Sequence, residues 1–206
     1  MNYIMVLFEN TSNYIFAEPM KDRTEQSMIT AFNIVQKQLT DAGIHPIIHI
    51  LDNEASKKFK IVLMGKNNTK VQLVPPHMHR RNAAERAIRT FKDHFIAGLS
   101  SADPQFPLTL WNRLLFQAIQ TLNMLRPSKI NKKMSAYEQI KGAYDYNSSP
   151  MAPPGTKSII HLKPSQRGTW AQHGHKGYYI GPATEHYHAL KFYLPKSGGE
   201  CIGDTA

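Results

Sequence analysis

The spacing of apolar positions changes several times along the chain, and each change marks an element. Tyr3-Ile4-Met5-Val6-Leu7-Phe8 is apolar and β-prone, and reads as a buried strand beginning almost at Met1. Asn10 to Asn13 make a polar turn, and Tyr14-Ile15-Phe16-Ala17-Glu18-Pro19 reads as the hairpin partner. From Thr24 to Ala42 the period lengthens. Met28, Phe32, Val35 and Leu39 fall at i, i+4, i+7 and i+11, the stripe of an amphipathic helix, with Gly43 as its stop. Pro46-Ile47-Ile48-His49-Ile50-Leu51 is the run expected of a strand buried on both faces in a central parallel pairing. A short helix over 55–64, a strand over 70–74, a helix over 82–99 and a second, very apolar helix over 106–126 follow.

The text then shifts. Pro127 to Lys133 is a basic, linker-like stretch carrying Lys129, Lys132 and Lys133 just after Arg126, with no acid. Beyond about Ser148, Pro, Gly, Tyr and His dominate, and short runs over 157–162, 177–181 and 189–194 read as strands of a small β unit. The order strand, strand, helix, strand, helix, strand, helix predicts mixed α/β followed by a β-rich tail. The expected division is a core over 1–128, a basic connection over 129–147 and a β-rich region over 148–206. No internal repeat is present.

Composition narrows the function classes. With 41% hydrophobic and 19% charged residues, the 206-residue chain can bury a core and is not a disordered sequence. Its net charge of +10 is concentrated, because residues 53–92 hold ten Lys/Arg against Glu54 and Glu85 and so supply +8 of it. Clustered positive charge favours a nucleic-acid partner over a uniformly solvated basic surface. A single cysteine, Cys201, excludes an intramolecular disulfide and any multi-cysteine zinc site, and fits a reducing compartment. Apolar runs such as Ile61-Val62-Leu63-Met64 are far too short to span a bilayer, and the N-terminus does not read as a signal peptide.

Two acids stand out within this charge. Asp52 follows a strand, and Glu85, 33 positions later, falls in the first turn of a basic helix. On that helix Ala84, Ile88, Phe91 and Phe95 form one apolar stripe, expected to dock on the sheet, while Glu85, Arg89 and Lys92 form another at i, i+4 and i+7. A carboxylate followed down one face by two cations can hold a divalent metal while gripping phosphates. His77, His79, Arg80 and Arg81 in the preceding loop would extend the grip. A structural reading stands beside this one. Asn82-x-x-Glu85 has the form of a capping box, Asp52 could cap the next helix, and Glu85–Arg89 is an ordinary i, i+4 pair.

The segments LDNEAS, LVPPHMHRRNAAERAIRTFKDHF, PLTLWNRLLFQAIQTLNML and SAYEQIKG together resemble the integrase of copia-type LTR retrotransposons. The likeness extends through the tail segment KGYYIGPATEHYHALKFYLP and covers nearly the whole chain. It implies a ribonuclease-H-like integrase core, a mixed sheet with flanking helices, followed by a small β-rich unit. It also implies that Asp52 and Glu85 are the last two acids of a DDE triad, holding Mg2+ or Mn2+. Arg86, Arg89 and Lys92, with His77, His79, Arg80 and Arg81, become the expected DNA-contacting residues. The implied activity is metal-dependent phosphodiester cleavage and strand transfer between retroelement ends and target DNA, an intracellular and ultimately nuclear event.

The departures are equally specific. The family's first acid lies on a strand preceding the one at Tyr3, so this chain is expected to lack that strand and its Asp. Glu9 closes the wrong strand to replace it. Little or no activity from the chain alone is therefore expected, with an exposed edge along Tyr3–Phe8. The alternative function is a non-catalytic DNA-binding or self-associating relic.

Three His-x-His pairs, at 77/79, 173/175 and 186/188, offer i, i+2 spacing without a cysteine partner, and no zinc is expected. The apolar surface along 106–126 is expected to be core, with homo-oligomerisation through it left open. Trp170 and Tyr178-Tyr179 could stack bases, but the preferred expectation is that they pack in the core of the small β unit.

Overall fold

The computed structural model describes residues 1–51, 56–65, 69–74, 83–162 and 164–204. Its elements divide between two compact units, Met1–Lys92 with Leu122–Gly142, and Asp93–Thr121 with Ala143–Ala206. The architecture is mixed α/β with several sheets.

The first unit opens with an antiparallel hairpin, β1 (Tyr3–Glu9) and β2 (Tyr14–Met20), in which Phe8 lies opposite Ile15. The turn closes because the Glu9 carboxylate accepts hydrogen bonds from the Thr11 amide (2.8 Å) and the Ser12 amide (2.5 Å). Burial pushes the Glu9 pKa up, but the Ser12 hydroxyl and these two amides outweigh it and hold the carboxyl below its usual value. Asn13 takes a left-handed φ of 66°, which Asn tolerates better than most residues.

Helix α1 (Glu25–Asp41) buries Ala31, Phe32, Val35 and Leu39, while Met28 is half-buried, and the chain turns away at Gly43 with φ 70°. β3 (Ile48–Leu51) pairs in parallel with β4 (Lys70–Leu73), Leu51 opposite Leu73. Between them α2 (Lys57–Met64) is capped by Ser56, whose hydroxyl accepts from the Phe59 amide at 3.1 Å.

One core serves both ladders. Phe32, Phe59 and Leu63 form a buried cluster on which Met5, Leu7, Leu51 and Val71 all pack, and the His49 ring meets Phe32 edge-on at 5.4 Å. The expectation of a strand covered on both faces fails at β3. Ile48 is 45% and Ile50 59% exposed, because only the His49/Leu51 face meets the core. The continuous apolar run thus conceals a half-exposed strand with period-2 burial.

Helix α3 (Ala83–Ser100) begins in the first unit. Its buried positions are Ala87, Phe91 and Phe95, at i, i+4 and i+8. Ala84 and Ile88, assigned to the apolar stripe from sequence, are half-buried and exposed. Both flank Phe91 as Ala87 does, and a stripe drawn from spacing alone can rotate by one such position.

The helix expected over 106–126 is two segments. A 3-10 helix covers Leu108–Arg113 and α4 covers Leu115–Leu125. Leu108, Trp111 and Leu114 recur every three residues, the 3-10 period, and the Leu114 amide donates to the Trp111 carbonyl at 3.0 Å. Of the apolar positions expected there, Leu114, Leu115, Ala118 and Leu122 are buried, whereas Leu125 is exposed.

At the first unit's end of α4, Asn123 is fully buried and joins its own element to β2. Its Oδ1 accepts from the Ile15 amide and its Nδ2 donates to the Ile15 carbonyl, each at 2.8 Å. α5 (Ala136–Lys141) follows, with a capping box in which Ser135 and Glu138 exchange hydrogen bonds.

The second unit carries a four-stranded antiparallel sheet in the order β5 (Lys157–His161), β6 (Gly174–Pro182), β7 (Leu190–Leu194), β8 (Gly199–Gly203). β8 has no counterpart in the sequence reading. Its glycine-flanked Glu200-Cys201-Ile202 is a weak local signal, settled by pairing that sets Cys201 opposite Phe192. Ile160, Tyr179 and Phe192 form the core, and burial pushes the Tyr179 phenol up to about 12. Tyr178 is buried as expected. Trp170 is not. It lies in the turn closed by the Ala171 amide donating to the Gly168 carbonyl, where its side chain is 99% exposed. Among the described residues, no helix is long and apolar enough to cross a membrane.

Candidate nucleic-acid interface

α3 organises what the structure describes of the site. Glu85 lies exposed in its first turn, where the positive end of the helix dipole favours a carboxylate. Arg89 and Lys92 are exposed at i+4 and i+7, so all three share the face expected of them by helical geometry. The result is one carboxylate at the helix start and two cations below it, open to solvent.

Arg86 belongs to a different face. About 100° round the helix from Glu85, it lines with Ala87 and Thr90 a separate recess of about 220 Å³. Arg126 and Lys129 line the same recess. The sequence reading grouped Arg86 with Arg89 and Lys92 and left Arg126 and Lys129 in a linker. The available signal was a run of cations without an acid, but nothing in the text says that this run returns to the start of α3.

Asp52, His77, His79, Arg80 and Arg81 lie outside the described residues, as does Asn82, the supposed cap of α3. What is described is where the chain leaves for Asp52. β3 ends at Leu51, whose carbonyl accepts from the Val74 amide at 2.9 Å, at the C-terminal end of the parallel ladder. In open α/β sheets, that end of parallel strands is where ligand sites form. Among the described residues, no three His, Cys, Asp or Glu side chains come together as a metal site. A pair of carboxylates suits a hard divalent cation such as Mg2+, which is bound through one or two protein oxygens with waters and phosphates completing the shell.

The histidine pairs outside that loop are placed. His173 precedes β6 and His175 lies in it, while His188, at φ 53°, has its Nδ1 2.8 Å from the Asn147 carbonyl oxygen.

No protein-family model matches the chain, and no curated protein matches it. Among solved structures, it is similar to a chain of the cryo-EM structure of the simian T-cell lymphotropic virus intasome in complex with PP2A regulatory subunit B56 gamma. The identity is 15%, with 97% of this chain and 69% of that chain covered and a TM-score of 0.53. It is also similar to the catalytic core domain of BIV integrase in crystal form I, at 17% identity over 66% of this chain and 84% of that one. At a TM-score of 0.49, the second likeness carries no weight. The fold is integrase-like.

Proposed function

We propose that the chain is the catalytic-core region and adjoining β unit of a retrotransposon integrase of copia type, a protein that binds DNA and takes part in its metal-dependent integration. The observation that carries this reading is the layout around the parallel ladder. β3 ends at Leu51, the residue before Asp52 in sequence, and the helix that follows β4 has Glu85 in its first turn and Arg89 and Lys92 on the same face. The fold shared with a chain of a retroviral intasome supports it.

The core is read as ribonuclease-H-like. In support, β1–β2 and β3–β4 are separate ladders that nevertheless pack on one hydrophobic cluster. Residues 1–128 form this core, 129–147 a basic connection and 148–206 the β-rich region. Self-association through 106–126 and action in the nucleus belong to the same reading.

Asp52 and Glu85 would hold the divalent ion. When bound, Mg2+ or Mn2+ lowers the pKa of a water or hydroxyl and neutralises charge developing on a phosphodiester. The residues of this chain do the rest. Arg89 and Lys92, with His77, His79, Arg80, Arg81 and Arg86, attract and orient the DNA backbone.

The test is fluorescence anisotropy of a labelled duplex end, with Mg2+ or with EDTA. The expected result is tighter end binding in Mg2+, lost in Glu85→Gln. Binding that ignores Mg2+ and survives Glu85→Gln would identify a DNA-binding module without the metal site.

A further inference from the structure

We propose that the recess beside the start of α3 is a phosphate-binding site built by Arg86, Arg126 and Lys129. The three cations come from two separate parts of the sequence, Arg86 from α3 and Arg126 with Lys129 from the stretch after α4, and line one half-open space of about 220 Å³, with Phe8, Asn13 and Thr90 among its other walls. Such a volume accommodates a phosphate group with a few waters, each water occupying about 30 Å³ of liquid.

Two of the cations are held in place by neutral partners. Arg126 Nε donates to the Asn13 carbonyl at 3.0 Å, and its Nη2 donates to Asn13 Oδ1 at 2.6 Å. Lys129 Nζ donates to Asn10 Oδ1 at 2.6 Å. Both charges approach the Phe8 ring, Arg126 at 5.8 Å and Lys129 at 5.0 Å from its centroid. Asn10 and Asn13 therefore orient the charges without neutralising them, and the ring gives only a modest cation–π attraction.

Among the described residues, no acid lines the space. Glu9, the nearest acid in sequence to Asn10, spends its carboxylate on Thr11 and Ser12 inside its own turn. Burial pushes the Arg126 pKa down, a sign that its charge is partly desolvated. Three like charges line this one space, the half-buried Arg126 between two exposed cations, and an anion with several acceptor oxygens relieves their mutual repulsion. A phosphate suits this better than a single carboxylate. Its tetrahedral oxygens can meet two guanidinium forks and an ammonium from different directions at once.

The shared chemistry is a phosphate oxyanion, from a nucleic-acid backbone or from a small soluble phosphate. The inference does not depend on Asp52 or Glu85 holding a metal, so the experiment is run in EDTA on the full chain. One arm follows a fluorescein-labelled duplex by anisotropy between 50 and 200 mM KCl. The other follows the thermal midpoint with added inorganic pyrophosphate. Arg86→Gln and Lys129→Gln alter exposed side chains, and Lys37→Gln removes one exposed charge from α1 as the control.

If the ligand is nucleic-acid phosphate, Arg86→Gln and Lys129→Gln each weaken duplex binding roughly three- to eightfold and lower the salt slope by about one. Lys37→Gln leaves both nearly unchanged. If it is a free phosphate, pyrophosphate raises the wild-type midpoint and fails to raise that of either variant. Either result supports the site. Variants that track Lys37→Gln in both arms overturn it, whatever Glu85→Gln does in Mg2+.

Discussion

Asn123→Leu should be among the most damaging single substitutions in the first unit, although it replaces a polar side chain with an apolar one of similar size. The two amide hydrogen bonds of Asn123 satisfy both backbone groups of Ile15, each at 2.8 Å, and both residues are fully buried. Leucine fills the space but offers neither donor nor acceptor. Water cannot substitute at a residue with 0% exposure. Each buried backbone group left unsatisfied costs about 1–3 kcal/mol, so the pair costs roughly 2–6 kcal/mol. With a urea m-value of about 2 kcal/mol/M, the unfolding midpoint falls by roughly 1–3 M. The assay is urea unfolding followed by circular dichroism, with amide hydrogen exchange at Ile15 as the local readout. A midpoint within about 0.3 M of wild type, with the Ile15 amide still protected, would refute the assignment of these bonds to β2 stability.

Two further outcomes follow from the packing. Burial raises the phenol pKa of Tyr14 above the usual range and that of Tyr179 to about 12. Below pH 10 both states keep those protons. Above it, the unfolded chain releases them while the folded chain retains them, so stability falls as pH rises from about 10 towards 12. Absorbance titration at 295 nm should show these two of the nine tyrosines ionising only with unfolding, and reversible ionisation of all nine below pH 11 would contradict it. Gly177→Ala should destabilise the second unit by about 1–3 kcal/mol. A Cβ there would stand 2.4 Å from Ile160 Cδ1 and 2.9 Å from the Tyr193 carbonyl oxygen. Thermal melting reads the loss directly, and an unchanged midpoint would contradict the close approach.

The fold was most legible where local chemistry and tertiary context agree. An Asn-rich turn between two apolar runs yields the β1–β2 hairpin, and the Phe32, Val35, Leu39 stripe yields the buried face of α1. It was least legible where tertiary context decides. Nothing in Ile47–Leu51 says that one face of β3 lies open, and nothing over 106–126 separates a 3-10 segment from an α-helix except a three-residue recurrence inside a longer apolar pattern. β8 is a strand because Phe192 faces Cys201, a pairing its own residues do not announce. The candidate site divides in the same way. The stripe of Glu85, Arg89 and Lys92 follows from helical geometry. The meeting of Arg86 with Arg126 and Lys129 joins positions some 40 residues apart, and a scan of local charge reads those as a linker.

The central claim is that Asp52 and Glu85 share a divalent ion, and electron paramagnetic resonance of Mn2+ tests it most directly. Titrating Mn2+ into the folded chain should deplete the free six-line signal. Asp52→Asn and Glu85→Gln should each restore that signal while circular dichroism shows the fold intact. Uptake of Mn2+ that is undiminished in both variants would place the ion elsewhere and remove the basis for the catalytic reading.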